Sequence, residues 1–273
     1  MRITARSACV IITTCSLWLA ACETSPTGRS QLMLFPEDQV QAMGVQAYKE
    51  MQQKLPGVDD PEVTSYVRCV ADAITHVIPG KYGKTKWEVT VFASDQVNAF
   101  ALPGGKIGVY SGLLKVAQTP AQLAAVIGHE VGHVLAEHSN ERLSTNFATQ
   151  MGLNLLSIAV GAGGFLNQQA LALLGLGAQV GIILPFSRTQ ESEADEIGQK
   201  LMARAGFDPR QSIELWQNMS KSGGERPPQF LSTHPSPTTR IDELRDQLPQ
   251  AMNLYERAQF EGRDPQCEPP RAG

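Results

Sequence analysis

Between Val126 and Leu135 the chain reads Val-Ile-Gly-His-Glu-Val-Gly-His-Val-Leu, two histidines and a glutamate set into an otherwise apolar run. Thr119-Pro120-Ala121-Gln122 just before it supplies an N-cap, a first-turn proline and a capping-box glutamine, so a helix is expected from Pro120 through at least Glu137. Residues four apart on a helix share one face about one turn apart, so His129 and His133 can present both imidazoles to a single ion while Glu130 points to another part of the space around it. Burying these three groups in an apolar helix is costly unless something pairs with them. The alternative, a solvated face with incidental histidines, conflicts with Val126, Ile127, Val131, Val134 and Leu135 around them. A fold that carries this run must therefore bury the helix, bind a metal on it, and bring a further ligand from elsewhere in the chain.

The spacing is also the H-E-x-x-H pattern of zinc-dependent proteases, and one Zn2+ per chain is implied. Zinc held by three protein ligands with one position open lowers the pKa of a water towards about 7, and Glu130 is placed to take its proton and pass it to the leaving amine. For the third ligand, a glycine at 136 and a histidine at 139 would define one zinc-protease class, the metzincins, but Ala136 and Ser139 stand there. His138 would lie about 140° round a continued helix from His133, which makes it a surface or supporting histidine. In Ser187-Arg188-Thr189-Gln190-Glu191-Ser192-Glu193-Ala194-Asp195, Glu191 and Asp195 are four apart and share a face, whereas Glu193 points roughly the other way. This favours Glu191 as ligand, with Asp195 able to accept a ring N–H from a ligand histidine. Taken alone, these carboxylates read more simply as a solvated acidic face.

The rest of the chain is read around this centre. Arg2 and Arg6 precede an apolar run from Ala8 to Ala21 that ends in Leu19-Ala20-Ala21-Cys22, the pattern cut by lipoprotein signal peptidase. Residues 1–21 are therefore expected to be a signal peptide, Cys22 the lipidated first residue, and Glu23 a mark of outer-membrane sorting, with the domain on the periplasmic face. The turn-rich stretch 22–34 is expected to be a tether and 35–273 a single domain, large enough for a core at 42% hydrophobic residues. With Cys9 and Cys15 removed and Cys22 acylated, Cys69 and Cys267 remain and are expected to pair in an oxidising compartment. A net charge of -4 without a basic stripe excludes nucleic acid as a partner.

Helices are expected at 36–54, from Asp60-Pro61 with a stripe of Val63, Tyr66, Val67, Val70, Ile74 and Val77, and at 187–205, 209–220 and 237–247. Alternation at Trp87, Val89, Val91 and at Ile107, Val109 predicts a small antiparallel sheet. The glycine-rich apolar stretch 151–184 is expected to form helices over the core or on a bilayer surface rather than a spanning hairpin. The fold class is α+β and mostly helical.

Gly128-His129-Glu130-Val131-Gly132-His133, Ser187-Arg188 and Glu191 with Asp195 together resemble the HtpX-like, CAAX-prenyl-protease-type zinc metallopeptidases (gluzincins), and in particular their short periplasmic lipoprotein branch related to BepA. The resemblance covers roughly 95–245. It implies a zincin-type domain with His129, His133 and Glu191 as zinc ligands, Glu130 as catalytic base and Asp195 in support. Asn98, Ala99, Phe100, Gly104 and Gly105 resemble the strand and turn that line the substrate cleft, with a structural hairpin as the alternative. Thr233-His234-Pro235-Ser236-Pro237, with Arg240 after it, resembles the segment that brings a histidine, here His234, near the metal. The implied activity is endoproteolysis of unfolded or misassembled envelope proteins; the alternative is a chaperone-like or regulatory lipoprotein with a closed zinc site.

Overall fold

In the computed structural model, residues 22–159, 186–222, 229–235 and 239–271 are described. The expected signal peptide and most of the apolar stretch 151–184 lie outside them. Among the described residues no helix is long and apolar enough to cross a membrane.

Local chemistry sets the first helices as expected. Glu37–Lys54 (α1) follows Pro36, and Pro61–His76 (α2) is capped by the Asp60 carboxylate, which accepts from the Glu62 and Val63 amides. Glu88–Phe92 (β3), Ala99–Leu102 (β4) and Lys106–Tyr110 (β5) form one sheet in the order β3-β5-β4. The sheet is mixed, not purely antiparallel: Val89 stands beside Ile107 in a parallel β3–β5 pair, and the tight hairpin is β4–β5, with Phe100 opposite Gly108. Period-two alternation fixes which face a side chain takes but not the direction of its neighbour. The turn falls at Gly104 and Gly105, both left-handed at φ 87° and 73°.

The histidine helix, Pro120–Leu135 (α3), is buried along nearly its whole length. It packs on α2, on the sheet, and most extensively on Arg188–Arg204 (α5), whose capping box joins Ser187 and Gln190. Val67, Val70 and Ile74 of α2, Ile107 and Val109 of β5, Leu123, Ile127 and Val131 of α3, and Leu201 and Met202 of α5 share one core with Leu215 and Met219 of Arg210–Ser222 (α6) and with Phe230. Alternate residues of the strands, Phe92, Phe100, Leu102 and Tyr110, face a smaller cluster with Tyr48 of α1. Gln229–Thr233 (α7) and Arg240–Phe260 (α8) complete the described helices, and α8 starts later and runs further than expected, continuing through Pro249.

Two further expectations change. α3 stops at Leu135: Ala136 caps it, Glu137 takes a left-handed φ of 52°, and a new helix, His138–Ala159 (α4), sets off in another direction. The stretch 22–34, expected to be a tether, carries an antiparallel hairpin of Cys22–Thr24 (β1) and Ser30–Leu32 (β2) that docks on the body. Gln31 Nε2 donates to the Ala136 carbonyl at 2.7 Å, and the Leu34 amide donates to Ser144 Oγ at 2.8 Å. Its turn-rich composition closes a hairpin, with Gly28 at φ 92°. Cys69 on α2 is bonded to Cys267 beyond α8, their Cα atoms 5.6 Å apart.

Candidate metal centre

The centre is built where α3 and α5 cross, and small residues let them cross closely. A Cβ added to Gly198 of α5 would stand 2.6 Å from the His129 amide nitrogen, and one on Gly132 of α3 would stand 2.8 Å from the Ala194 carbonyl oxygen. At this separation the first turn of α5 reaches the histidines of α3. His129, His133, Glu191 and, from the end of α7, His234 are all buried, and one ligand atom from each lies within 4.8 Å of the others.

The hydrogen bonds behind the rings decide what their front nitrogens can do. His129 Nδ1 is 2.8 Å from Asp195 Oδ1, an acceptor, so the neutral ring keeps its one proton there and offers the Nε2 lone pair to an ion. That Nε2 faces His133 Nε2 at 3.1 Å, His234 Nδ1 at 3.2 Å and Glu191 Oε2 at 3.4 Å. Glu191 Oε1 lies 3.4 Å from His133 Nε2 and 3.0 Å from His234 Nδ1. Three imidazole nitrogens and a carboxylate converging in a buried position form a donor set that fits zinc, which takes nitrogen and oxygen ligands in fours.

The surrounding charge points the same way. Burial pushes the Glu191 carboxyl upward, but hydrogen bonds from His129, His133 and His234 outweigh it and hold the group far below the usual carboxylate range. Against the effect of burial, the Asp195 and Glu191 charges raise His129 to about 10, so the cluster draws in positive charge. Burial depresses His133. Arg240 binds both carboxylates from behind, Nε to Asp195 Oδ2 and Nη2 to Glu191 Oε2, each at 2.5 Å, and its guanidinium lies 3.9 Å from the centre of the Trp216 ring. Glu130, next to His129, is raised by burial, and its Oε1 has no hydrogen-bond donor among the described residues, His234 Nε2 being 3.5 Å away.

Aromatic rings close the centre on its other side. Phe186 stacks on His133 at 3.7 Å between centroids, and Phe230 stacks on His234 at 4.4 Å. The Phe230 amide donates to the Val97 carbonyl, which ties α7, and with it His234, to the strand side of the site. Phe186, Phe230 and the glycine crossing escaped the sequence reading, although Ala194 and Gly198 four apart mirror Gly128 and Gly132 and signal a close helix pair.

The expected cleft residues divide. The Tyr110 amide donates to the Asn98 carbonyl, so alternation turns the Ala99 and Ala101 backbone groups to the outer edge of β4. There the Ala99 amide donates to Asn98 Oδ1 at 3.0 Å, and the Ala101 backbone hydrogen-bonds the Glu130 carboxyl. The Phe100 side chain does not face this edge; it is buried against Tyr48, Phe92 and Tyr110. Gly104 and Gly105 form the turn at the far end of β4.

Of the two places open to His138, at the surface or in support of the centre, the structure shows the second: it is fully buried with Nδ1 2.8 Å from His133 Nδ1. The break at Glu137 returns it to the centre. Glu193, expected to point away from Glu191 and Asp195, does so, but into this second histidine rather than into solvent.

A buried carboxyl beside a histidine, histidine and carboxylate donor set on crossed helices is the arrangement of a metallopeptidase. The chain belongs to peptidase family M48, whose family model matches residues 61–248. The mitochondrial metalloendopeptidase OMA1 of Schizosaccharomyces pombe is 38% identical over 168 residues, 61% of this chain and 48% of that protein. Its Bos taurus counterpart is 32% identical over 251 residues, 86% of this chain and 47% of that one. A beta-barrel assembly-enhancing protease of Yersinia pestis is 30% identical over 222 residues, 78% of this chain and 44% of that protein. The chain thus spans about half the length of the curated relatives it matches.

Proposed function

We propose that this chain is a zinc-dependent endopeptidase of the bacterial cell envelope that cleaves unfolded or misassembled envelope proteins. The observation that carries the reading is the convergence of His129, His133 and Glu191 beside a buried Glu130 whose Oε1 has no hydrogen-bond donor among the described residues. His129, His133 and Glu191 would hold the ion, and the Lewis acidity that zinc supplies when bound acts on water and on a substrate carbonyl. Glu130 takes the proton of the attacking water at Oε1 and delivers it to the departing amine. Asp195 keeps the His129 proton on Nδ1, and Arg240 holds the Asp195 and Glu191 carboxylates in place. An extended substrate pairs with the outer edge of β4 through the Ala99 and Ala101 carbonyls, the amides being engaged by Asn98 and Glu130, which lays its backbone beside Glu130.

Within family M48 we place the chain in the short lipoprotein branch. Leu19-Ala20-Ala21-Cys22 supports an acylated Cys22 and an outer-membrane anchor, and the bacterial relative named for β-barrel assembly supports envelope substrates. The mitochondrial compartment in the names of the OMA1 relatives is theirs.

His234 favours a second reading, because its Nδ1 lies within the ligand group and its Nε2 stands 3.5 Å from Glu130 Oε1. A histidine held there would close the ion to substrate, as in a binding protein without peptidase activity. Digestion of unfolded casein by the mature chain with zinc, run beside Glu130→Gln with metal content measured for both, separates the two. Cleavage by wild type, with a zinc-loaded but inactive variant, is expected; two zinc-loaded proteins that both fail to cleave would support the closed site.

A further inference from the structure

We propose that His138 and Glu193, with Arg29 of the N-terminal hairpin behind them, are positioning residues for His133, so that the hairpin forms part of the metal centre's support. This rests on reading His133 as a zinc ligand. A ligand histidine that binds through Nε2 must carry its proton on Nδ1, and something must accept it. For His129 the acceptor is Asp195, fixed by Arg240. For His133 it is another imidazole: His133 Nδ1 lies 2.8 Å from His138 Nδ1, and His138 Nε2 lies 3.1 Å from Glu193 Oε2. Only one arrangement leaves His133 Nε2 bare. The His133 Nδ1–H donates to His138 Nδ1, and the His138 Nε2–H donates to Glu193.

Glu193 is then to His133 what Asp195 is to His129, one ring further out, and it too is held by an arginine. Arg29 Nε donates to Glu193 Oε2 at 2.9 Å and Thr27 Oγ1 donates to Oε1 at 2.7 Å, so the hairpin engages both carboxylate oxygens. The other end of Arg29 grips Glu141 of α4 through Nη1 at 2.5 Å and Nη2 at 2.7 Å. Glu141 in turn accepts from Gln190 on the first turn of α5 at 2.6 Å and from Gln31 of β2 at 3.2 Å. The hairpin therefore joins α4, which carries His138, to α5, which carries Glu191 and Glu193. His138 and the Glu193 carboxylate are buried, so solvent does not substitute for these partners.

The test is zinc affinity, measured by competition with a chromophoric chelator for the full mature chain, for Arg29→Gln, for His138→Phe and for the double variant, with urea unfolding of each. His138→Phe is expected to weaken zinc binding about 10- to 100-fold and Arg29→Gln about 10-fold. If Arg29 acts through His138, the double variant binds no more weakly than His138→Phe alone. Arg29→Gln with wild-type affinity, or two losses that multiply, would overturn the proposal and leave the hairpin a stabilising contact only. If His138→Phe does not fold, Glu193→Gln replaces it in the same cycle. A wild-type chain that binds no zinc would instead refute the reading of the centre itself.

Discussion

Arg240 is a full charge in the core, 1% exposed, and its value to the protein lies in the two carboxylates it touches. Removing one partner of a buried ion pair strands the other's charge, at a cost of about 3–5 kcal/mol, far more than the pair itself contributes over an apolar substitute. Arg240→Met removes the guanidinium that lies over Trp216 and bridges Asp195 and Glu191, and leaves both carboxylates without their buried counter-ion. Urea unfolding of the metal-free protein should show a loss of about that size, against less than about 1 kcal/mol for Arg245→Met, whose partner Asp242 is exposed. The sequence showed half of this arrangement. His129, Glu130 and His133, and then Glu191 and Asp195, are legible because four-residue spacing on a helix fixes which side chains meet. Arg240 is 45 and 49 residues from its partners, and nothing local in the chain marks it as their counter-ion. The choice between a surface and a supporting His138 was not legible for a related reason: one left-handed residue, Glu137, resets every direction that helical periodicity assigns after it.

At the scale of elements, the α3–α5 crossing sets the metal centre, and its glycines can be tested one at a time. Gly198→Ala puts a methyl group 2.6 Å from the His129 backbone nitrogen, a contact that only a shift of one helix can relieve. It should cost about 1–3 kcal/mol. It should also weaken zinc binding, because Glu191 moves with α5. Gly152→Ala on α4 meets nothing within 4 Å and should be neutral or stabilising by up to about 1 kcal/mol. Unfolding midpoints and zinc titrations of the two variants check the contrast; equal effects would mean that close approach is not what Gly198 provides. Helix existence was legible through caps at Asp60, Thr119 and Ser187, each of which accepts the hydrogen bonds its residue type predicts. Strand direction was not, since parallel and antiparallel neighbours leave the same alternation in a sequence. The hairpin at 22–32 was hidden because its turn residues are also those of a flexible linker.

For the whole molecule, the two ends of the described chain are fastened by different means. The N-terminal hairpin is held by hydrogen bonds and ion pairs that converge on Glu193 and Glu141, beside the metal centre. The C-terminal segment is held by Cys267, bonded to Cys69 on the sheet-facing helix α2 across a separation of 198 residues. A cross-link over so long a loop restricts the unfolded chain strongly, and typical native disulfides contribute about 2–4 kcal/mol. Replacing both cysteines by serine should therefore lower stability by about that amount. It should not change zinc affinity at neutral pH, because neither cysteine touches a ligand or its supports. Arg29→Gln is expected to do the reverse, with a small loss of stability and a large loss of affinity. Measuring both quantities on both proteins tests the division directly: if the serine variant also loses zinc, then α2 transmits strain to α3 through the core they share, and the support of the centre extends to the C-terminal end of the chain.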